Sequence, residues 1–444
     1  MIGFAVFWLG AFALGWLLIR ATRVPVHSRL ELLAWSGGWG VGALAFLAFL
    51  LGSLGVRLGR GLVLLVCGGA VLAAGLTAAL SRSGFGPRGA SLRPRIPAEW
   101  IVLGGFAIVL CTLAVAIATT PLGAFDARML WTLQARLIFD TEAYPSAELL
   151  DPAFVVAHPQ YPPLLPLAEA LSALAAGSFR ERLVRLVPTF FYLSVVAALL
   201  AALARNDRRF GPLLAGVYAL MPTLILDEHG GAADAGLADI PLSFFVLLSV
   251  LLLARAREAE WRDHAVAGHL AALAGLFKNE GLVLGALLVA SVSFQARRSW
   301  RLPLAFAAGW ALTLLPWLEV RSALPTVFEE QYGEHLNPSR ILWGLDRAGA
   351  VLGEMLQLTF LRPNGAGLTW WVVGLFWLAS PGRIARLRDV HLWVVPAYLA
   401  AIFVVYLITP WEGTLQVRLS FARVLLHVAP LALWAVGTGR RARA

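Results

Sequence analysis

The sequence predicts an all-α polytopic membrane protein, and three observations carry that reading. Only 14% of its 444 residues are charged while 59% are hydrophobic, and the mean hydropathy is +0.76. A soluble domain carries roughly 25% charged residues. Several windows of about 18 to 24 residues are almost free of charge, the length that crosses a hydrocarbon core of about 30 Å. The apolar residues come in long runs, not in the short alternating segments of a membrane β-barrel. About 12 or 13 spans are expected, with several half-length or surface helices among them.

The formal charge of +10 does not point to nucleic acid. Most arginines fall in short turns between apolar runs, as cytoplasmic loops require. Lys278 is the single lysine, a bias expected of a GC-rich bacterial genome. Cys67 and Cys111 lie inside apolar spans and read as small hydrophobes. The N-terminus lacks a basic leader region and reads as a first span.

Taken in order, spans are expected at 2–19, 31–54, 61–80 and 98–119, with a basic cytoplasmic loop at 81–97. Residues 1–97 form a three-helix membrane extension with that loop, and 98–444 the main transmembrane module. The fourth span delivers the chain to the outer face, where Thr120 to Pro166 is unusually polar for this protein. Within it, 124–139 patterns as a surface helix. Phe125, Met129, Leu130, Leu133, Leu137 and Ile138 are on its apolar face, and Asp126, Arg128 and Arg136 are at the rim. Residues 140–162 are loop-like and complete a first outer loop over 120–162. The run 163–177 is a half-span, a re-entrant helix or a full span.

Spans follow at 184–204, 212–226 and 241–254. Segments 265–276 and 281–294 form a helical pair turning at Lys278-Asn279-Glu280-Gly281, where glycine makes a tight turn cheap. A span at 302–318 leads to an outer segment, 319–347. Residues 348–361 form a short surface or re-entrant helix. Spans at 367–380, 391–408 and 421–437 complete the chain, with a last outer loop over Thr409–Ser420.

Acidic residues away from the arginine-rich turns gather on the outer side: Asp126, then Asp227, Glu228, Asp234 and Asp239, then Glu319, Glu329, Glu330 and Glu334, then Glu412. An outward cavity lined by carboxylates suits chemistry on a polar substrate. Asp126 reads either as a helix cap or as a general base or metal ligand. His158 precedes Tyr161-Pro162-Pro163, two prolines that fix the backbone before a helix. Lys278, between apolar helices, needs a partner: either Glu280 or an anionic substrate group. Arg418 and Arg423 stand where an outer loop re-enters the membrane. No Walker, Rossmann or HExxH motif is present.

These residues, in this order, resemble the integral-membrane glycosyltransferases of the GT-C fold, specifically the bacterial protein O-mannosyltransferase and lipid A aminoarabinose transferase-like group. Phe125-Asp126 is similar to the essential aspartate of the first outer loop, followed by Trp131 and Arg136. His158 to Leu164 resembles a YPPL-like motif, and Arg185-Leu186-Val187-Pro188 an Arg-Leu-X-Pro segment with one extra residue. Ala238-Asp239-Ile240-Pro241-Leu242 resembles the second-loop motif, and Lys278 to Gly281 a recurring Lys/Glu/Gly element. Ser420 and Arg423 match a C-terminal pattern in which Trp-His is here Leu415-Gln416.

The resemblance covers roughly 98–430 and implies inverting sugar transfer from a polyprenyl-phosphate donor to an acceptor hydroxyl. The acceptor would be lipid, glycan or protein, in a multi-pass enzyme of the bacterial inner membrane whose site faces the periplasm. Carried over, Asp126, Asp239 and Asp234 are catalytic, with Asp126 acting directly or through a divalent cation such as Mg²⁺ or Mn²⁺. Lys278, Glu280, Arg418, Arg423, Tyr161, His158 and Arg185 bind the donor, Lys278 and Arg418 or Arg423 holding its phosphate. Arg128, Trp131, Arg136, Glu228, His229 and Gln416 contact the acceptor or the loops. The alternative is a transporter or a flippase for lipid-linked sugars. Against it, the charges cluster at one face and no inverted repeat is visible.

Overall fold

The structure, a computed structural model, describes residues 2–80, 97–207, 210–225, 231–255, 260–295, 299–327, 335, 337–362, 366–379 and 392–438. It is 81% helical with no strand among the described residues, and seven helices are long and apolar enough to cross a membrane. The all-α polytopic reading therefore holds. Most of loop 81–97, the pair Glu228 and His229, the outer acids Glu329, Glu330 and Glu334, and the basic tail lie outside the described residues.

The first four spans are α1 (Ile2–Thr22), α2 (Arg29–Ser53), α3 (Arg60–Leu80) and α4 (Pro97–Thr119). α3 and α4 turn most of their surface outward, whereas α2 is largely buried, with Trp35 and Trp39 in the core. Its first turn is capped by Ser28, whose hydroxyl accepts from the Glu31 N–H, while the Glu31 carboxylate accepts from the His27 N–H.

The polar stretch begins as the surface helix that its pattern predicts. It winds as a π-helix over Ala127–Thr132 and continues as α5 (Leu133–Thr141). The wider i→i+5 winding rotates the inward face away from a 3.6-residue reading. Ala127, Leu130, Trp131, Gln134, Ala135 and Ile138 are buried, while Phe125, expected on that face, is 64% exposed. Arg128 and Arg136 are exposed at the rim, as expected.

After the prolines comes α6 (Leu164–Ala176), which spans about 20 Å at 1.5 Å per residue, too short for a full crossing. It is a buried half-helix that ends on Gly177 in the left-handed region (φ +77).

α7 (Leu186–Asn206), α8 (Gly211–Ala219) and α9 (Asp239–Leu253) follow, then α10 (Trp261–Phe277), α11 (Glu280–Gln295) and α12 (Arg301–Ala323). α10 and α11 are the expected pair turning at 278–281. Gly281 is needed there for close approach: a Cβ would sit 2.4 Å from the Ala274 carbonyl group. α10 and α12 meet backbone to backbone, and a Cβ on Gly268 would fall 2.0 Å from the Phe306 carbonyl oxygen.

The C-terminal part comprises α13 (Pro338–Leu345), α14 (Ala348–Leu356) with a π-turn over Gln357–Leu361, α15 (Leu368–Leu378), α16 (Val394–Ile408) and α17 (Gly413–Thr438). One expectation is corrected here. The stretch Thr409–Ser420, expected as a loop, turns helical at Gly413, so Gln416 and Arg418 stand on the first turns of α17. Its polar residues imitate a loop in composition because they cap and pair rather than face lipid.

Candidate active site

Asp126 enters the surface helix just before its π-turn, and its carboxylate makes no hydrogen bond that caps that helix. Instead Oδ2 accepts a bond from Arg423 Nη1 at 2.8 Å. The capping alternative is thereby set aside, and the head of the surface helix is tied to the third turn of α17. Arg423 is followed one turn later by His427, so both project from one face of α17.

Asp239 is the first residue of α9, where a carboxylate is favoured by the helix dipole. Its Oδ1 accepts from Lys278 Nζ at 2.8 Å and pairs with His427 Nε2 at 2.7 Å. Lys278 stands in extended backbone between α10 and α11 and also reaches Glu280 at 3.0 Å. The other ring nitrogen of His427, Nδ1, lies 2.7 Å from the Tyr398 hydroxyl on α16. A phenol that donates to Nδ1 leaves the ring proton on Nε2, directed at the Asp239 carboxylate.

Asp239, Lys278, His427 and Tyr398 are all buried. Removing either member of such a pair leaves a bare buried charge, at a cost of about 3–5 kcal/mol. Several buried polar atoms in this cluster and on the first turns of α17 have no hydrogen-bond partner among the described residues: Asp239 Oδ2, Arg423 Nε, Asn279 Oδ1 and Gln416 Oε1. Three acceptors and a donor left open beside a charged cluster are groups that a hydroxylated, anionic ligand can satisfy.

The structure therefore brings Asp126, Asp239, Lys278, Glu280 and Arg423 into one network. Other expected residues lie apart from it. Asp234 and Arg185 pair with each other, and Arg185 also donates to the Asp234 and Thr120 carbonyls, clamping the loop before α9 to the end of α4. Arg418 binds Glu354 of α14, which also holds Arg362. Trp131, Tyr161 and His158 form an edge-to-face aromatic group, with ring centroids 5.4 and 5.6 Å apart. His158 takes a left-handed backbone (φ +47), and Gln134 Nε2 donates to the Ala157 and His158 carbonyls. Arg136 pairs with Asp140 at the rim.

Sequence reasoning missed His427 and Tyr398. The available signal for His427 was a second polar side chain four residues after Arg423 in an otherwise apolar helix.

The donor set does not fit a resident divalent cation. Arg423 engages Asp126, Lys278 and His427 share one oxygen of Asp239, and no group of three His, Cys, Asp or Glu residues spaced for a metal gathers among the described residues.

A family described as dolichyl-phosphate-mannose-protein mannosyltransferase matches residues 158–319, less than half of the chain. The match contains Asp239, Lys278 and Glu280 and stops short of Asp126 and Arg423 on either side. It supports an integral-membrane glycosyltransferase of the GT-C class, of the mannosyltransferase type, that uses a polyprenyl-phosphate sugar donor. No curated protein and no solved structure matches the chain.

Proposed function

We propose that the chain moves a sugar from a polyprenyl-phosphate donor to an acceptor hydroxyl, with inversion, at the membrane face bearing the Asp126–Arg423 pair. That pair is the observation that carries the reading: a half-exposed carboxylate and a largely buried guanidinium at the mouth of the bundle. The donor phosphate competes for Arg423, whose Nε–H has no partner among the described residues. Engagement of the phosphate frees Asp126 Oδ2 to take the proton of the acceptor hydroxyl. The acceptor oxygen then attacks the anomeric carbon from the side opposite the phosphate. The carbon–oxygen bond to phosphate breaks, its electron pair stays on the phosphate, and Arg423 offsets the growing charge.

In this reading Lys278 acts mainly by holding Asp239 and Glu280 in place, because it forms ion pairs with both carboxylates. The open Asp239 Oδ2 is offered to a sugar hydroxyl. Arg20 and Arg205, at the far ends of α1 and α7, support a cytoplasmic assignment for the face opposite the site and an outer one for the site itself. Residues 98–444 form the catalytic module, and the acceptor is a protein, glycan or lipid.

The test is donor turnover by purified protein in nanodiscs with polyprenyl-phosphate mannose. Arg423→Gln is expected to raise the donor KM at least about tenfold, from loss of a charge-assisted contact of about 1.5–3 kcal/mol. An unchanged donor KM contradicts the phosphate role.

A further inference from the structure

We propose that the face bearing the Asp126–Arg423 pair also holds a lipid site, for the phosphate headgroup of an anionic glycerophospholipid whose acyl chains lie on α4. A cleft of about 520 Å³ opens where α4 ends. Thr119, Thr120 and Pro121 line one side of it, and Arg180, Glu181 and Arg182 the other.

Two contacts fix these walls to each other. The Glu181 carboxylate accepts from the Leu122 N–H, and Arg185 Nη1 donates to the Thr120 carbonyl at 2.6 Å. Glu181 Oε1 is thereby engaged, and it also lies 4.0 Å from Arg185 Nη1. Arg180 and Arg182 stand on either side of Glu181 in the chain. Both are exposed, and neither makes a hydrogen bond or an ion pair with a described residue. The hydroxyls of Thr119 and Thr120 each donate to a carbonyl one turn back in α4, at 2.7 Å. The side-chain donors left to the cleft are therefore two guanidiniums, whose paired N–H groups match the oxygens of a phosphate. A zwitterionic headgroup adds an ammonium, which the guanidiniums repel.

The position favours a lipid over a water-borne anion. α4 runs for 23 residues, about 35 Å at 1.5 Å per residue, and crosses a hydrocarbon core of about 30 Å in one piece. Its Thr119 end emerges at the level of the headgroups. Ile101, Ile108 and Val115 recur every seven residues and are exposed, and Thr112 and Thr119 continue the same stripe of the helix. An acyl chain lying on that stripe carries its headgroup to the cleft. Binding there does not depend on sugar transfer.

The experiment uses full-length delipidated protein in detergent, read by native mass spectrometry and thermal unfolding. Phosphatidylglycerol, phosphatidylethanolamine, phosphatidylcholine and free glycerol 3-phosphate are added separately. Phosphatidylglycerol is expected to be retained at least about fivefold more strongly than either zwitterionic lipid, from two arginines at the interface. It is also expected to raise the unfolding temperature most. The double variant Arg180→Gln, Arg182→Gln is expected to bring the three lipids within about twofold of one another. Arg128→Gln, which removes an exposed arginine elsewhere on the same face, is expected to keep the preference. Tryptophan fluorescence checks folding of each variant. Equal retention of the three lipids by wild type, or a preference that survives the double variant, overturns the proposal. So does a preference lost equally in Arg128→Gln, which would reflect total charge. Stabilisation by glycerol 3-phosphate equal to that by phosphatidylglycerol overturns the lipid assignment in favour of a water-borne phosphate.

Discussion

His427 Nε2 lies 2.7 Å from Asp239 Oδ1 although the two residues are 188 positions apart. The last helix of the chain thereby fixes a carboxylate at the start of α9, and Tyr398 fixes the histidine in turn. With Lys278 on the same oxygen, Oδ1 is fully engaged and Oδ2 is left for a ligand.

His427 and Tyr398 are therefore expected to act as positioning residues. His427→Phe fills the space without either hydrogen bond and is expected to lower kcat about 10- to 150-fold, the equivalent of 1.5–3 kcal/mol. His427→Gln, which keeps a donor near the Nε2 position, is expected to recover much of that loss. In an Asp239→Asn background the phenylalanine variant is expected to add little, and a double-mutant cycle in the turnover assay measures this. Additive losses would indicate that His427 acts independently of Asp239.

Lys278, the only lysine in the sequence, offers a direct test of burial. Its ion pairs with Asp239 and Glu280 hold it inside the protein. Amine-specific labelling followed by peptide mass spectrometry is expected to leave Lys278 unmodified in folded protein and to modify it after denaturation. Lys278→Met is expected to destabilise the fold by about 3–5 kcal/mol, because two carboxylates lose their cation. Combination with Asp239→Asn is expected to restore part of that loss in thermal unfolding.

The Asp234–Arg185 pair is expected to be structural. Both side chains are buried, and Arg185 also holds two carbonyl groups. Asp234→Asn is expected to lower the unfolding temperature while leaving the donor KM within about threefold, since the pair stands apart from the Asp126–Asp239 network. A large change in donor KM with an unchanged unfolding temperature would move Asp234 into the donor site.

Much of the architecture was legible because it is written in hydrophobic length. The spans, the turn at Lys278 and the surface helix after α4 all follow from periodicity and charge placement. Asp126, Asp239, Lys278 and Arg423 were legible as candidates because a charge beside an apolar helix is expensive. Their pairings were not, since the bonds join positions 39, 188 and 297 residues apart and nothing local encodes them. Phe125 was assigned to the wrong face because a π-turn breaks the 3.6-residue period on which the assignment rested. The Arg418–Glu354 pair was hidden in the same way, since Glu354 lies 64 residues earlier on another helix. His427 passed unnoticed although it stands one turn after Arg423, because the partner that gives this spacing its meaning, Asp239, lies 188 residues earlier.

The central claim, that Asp126 serves the transfer step, is tested most directly by turnover of polyprenyl-phosphate mannose in nanodiscs by wild type and Asp126→Asn at saturating donor. The variant is expected to bind the donor within about threefold of wild type and to transfer or release the sugar at least about 100-fold more slowly, the loss of a general base. Wild-type turnover by Asp126→Asn would contradict the assignment.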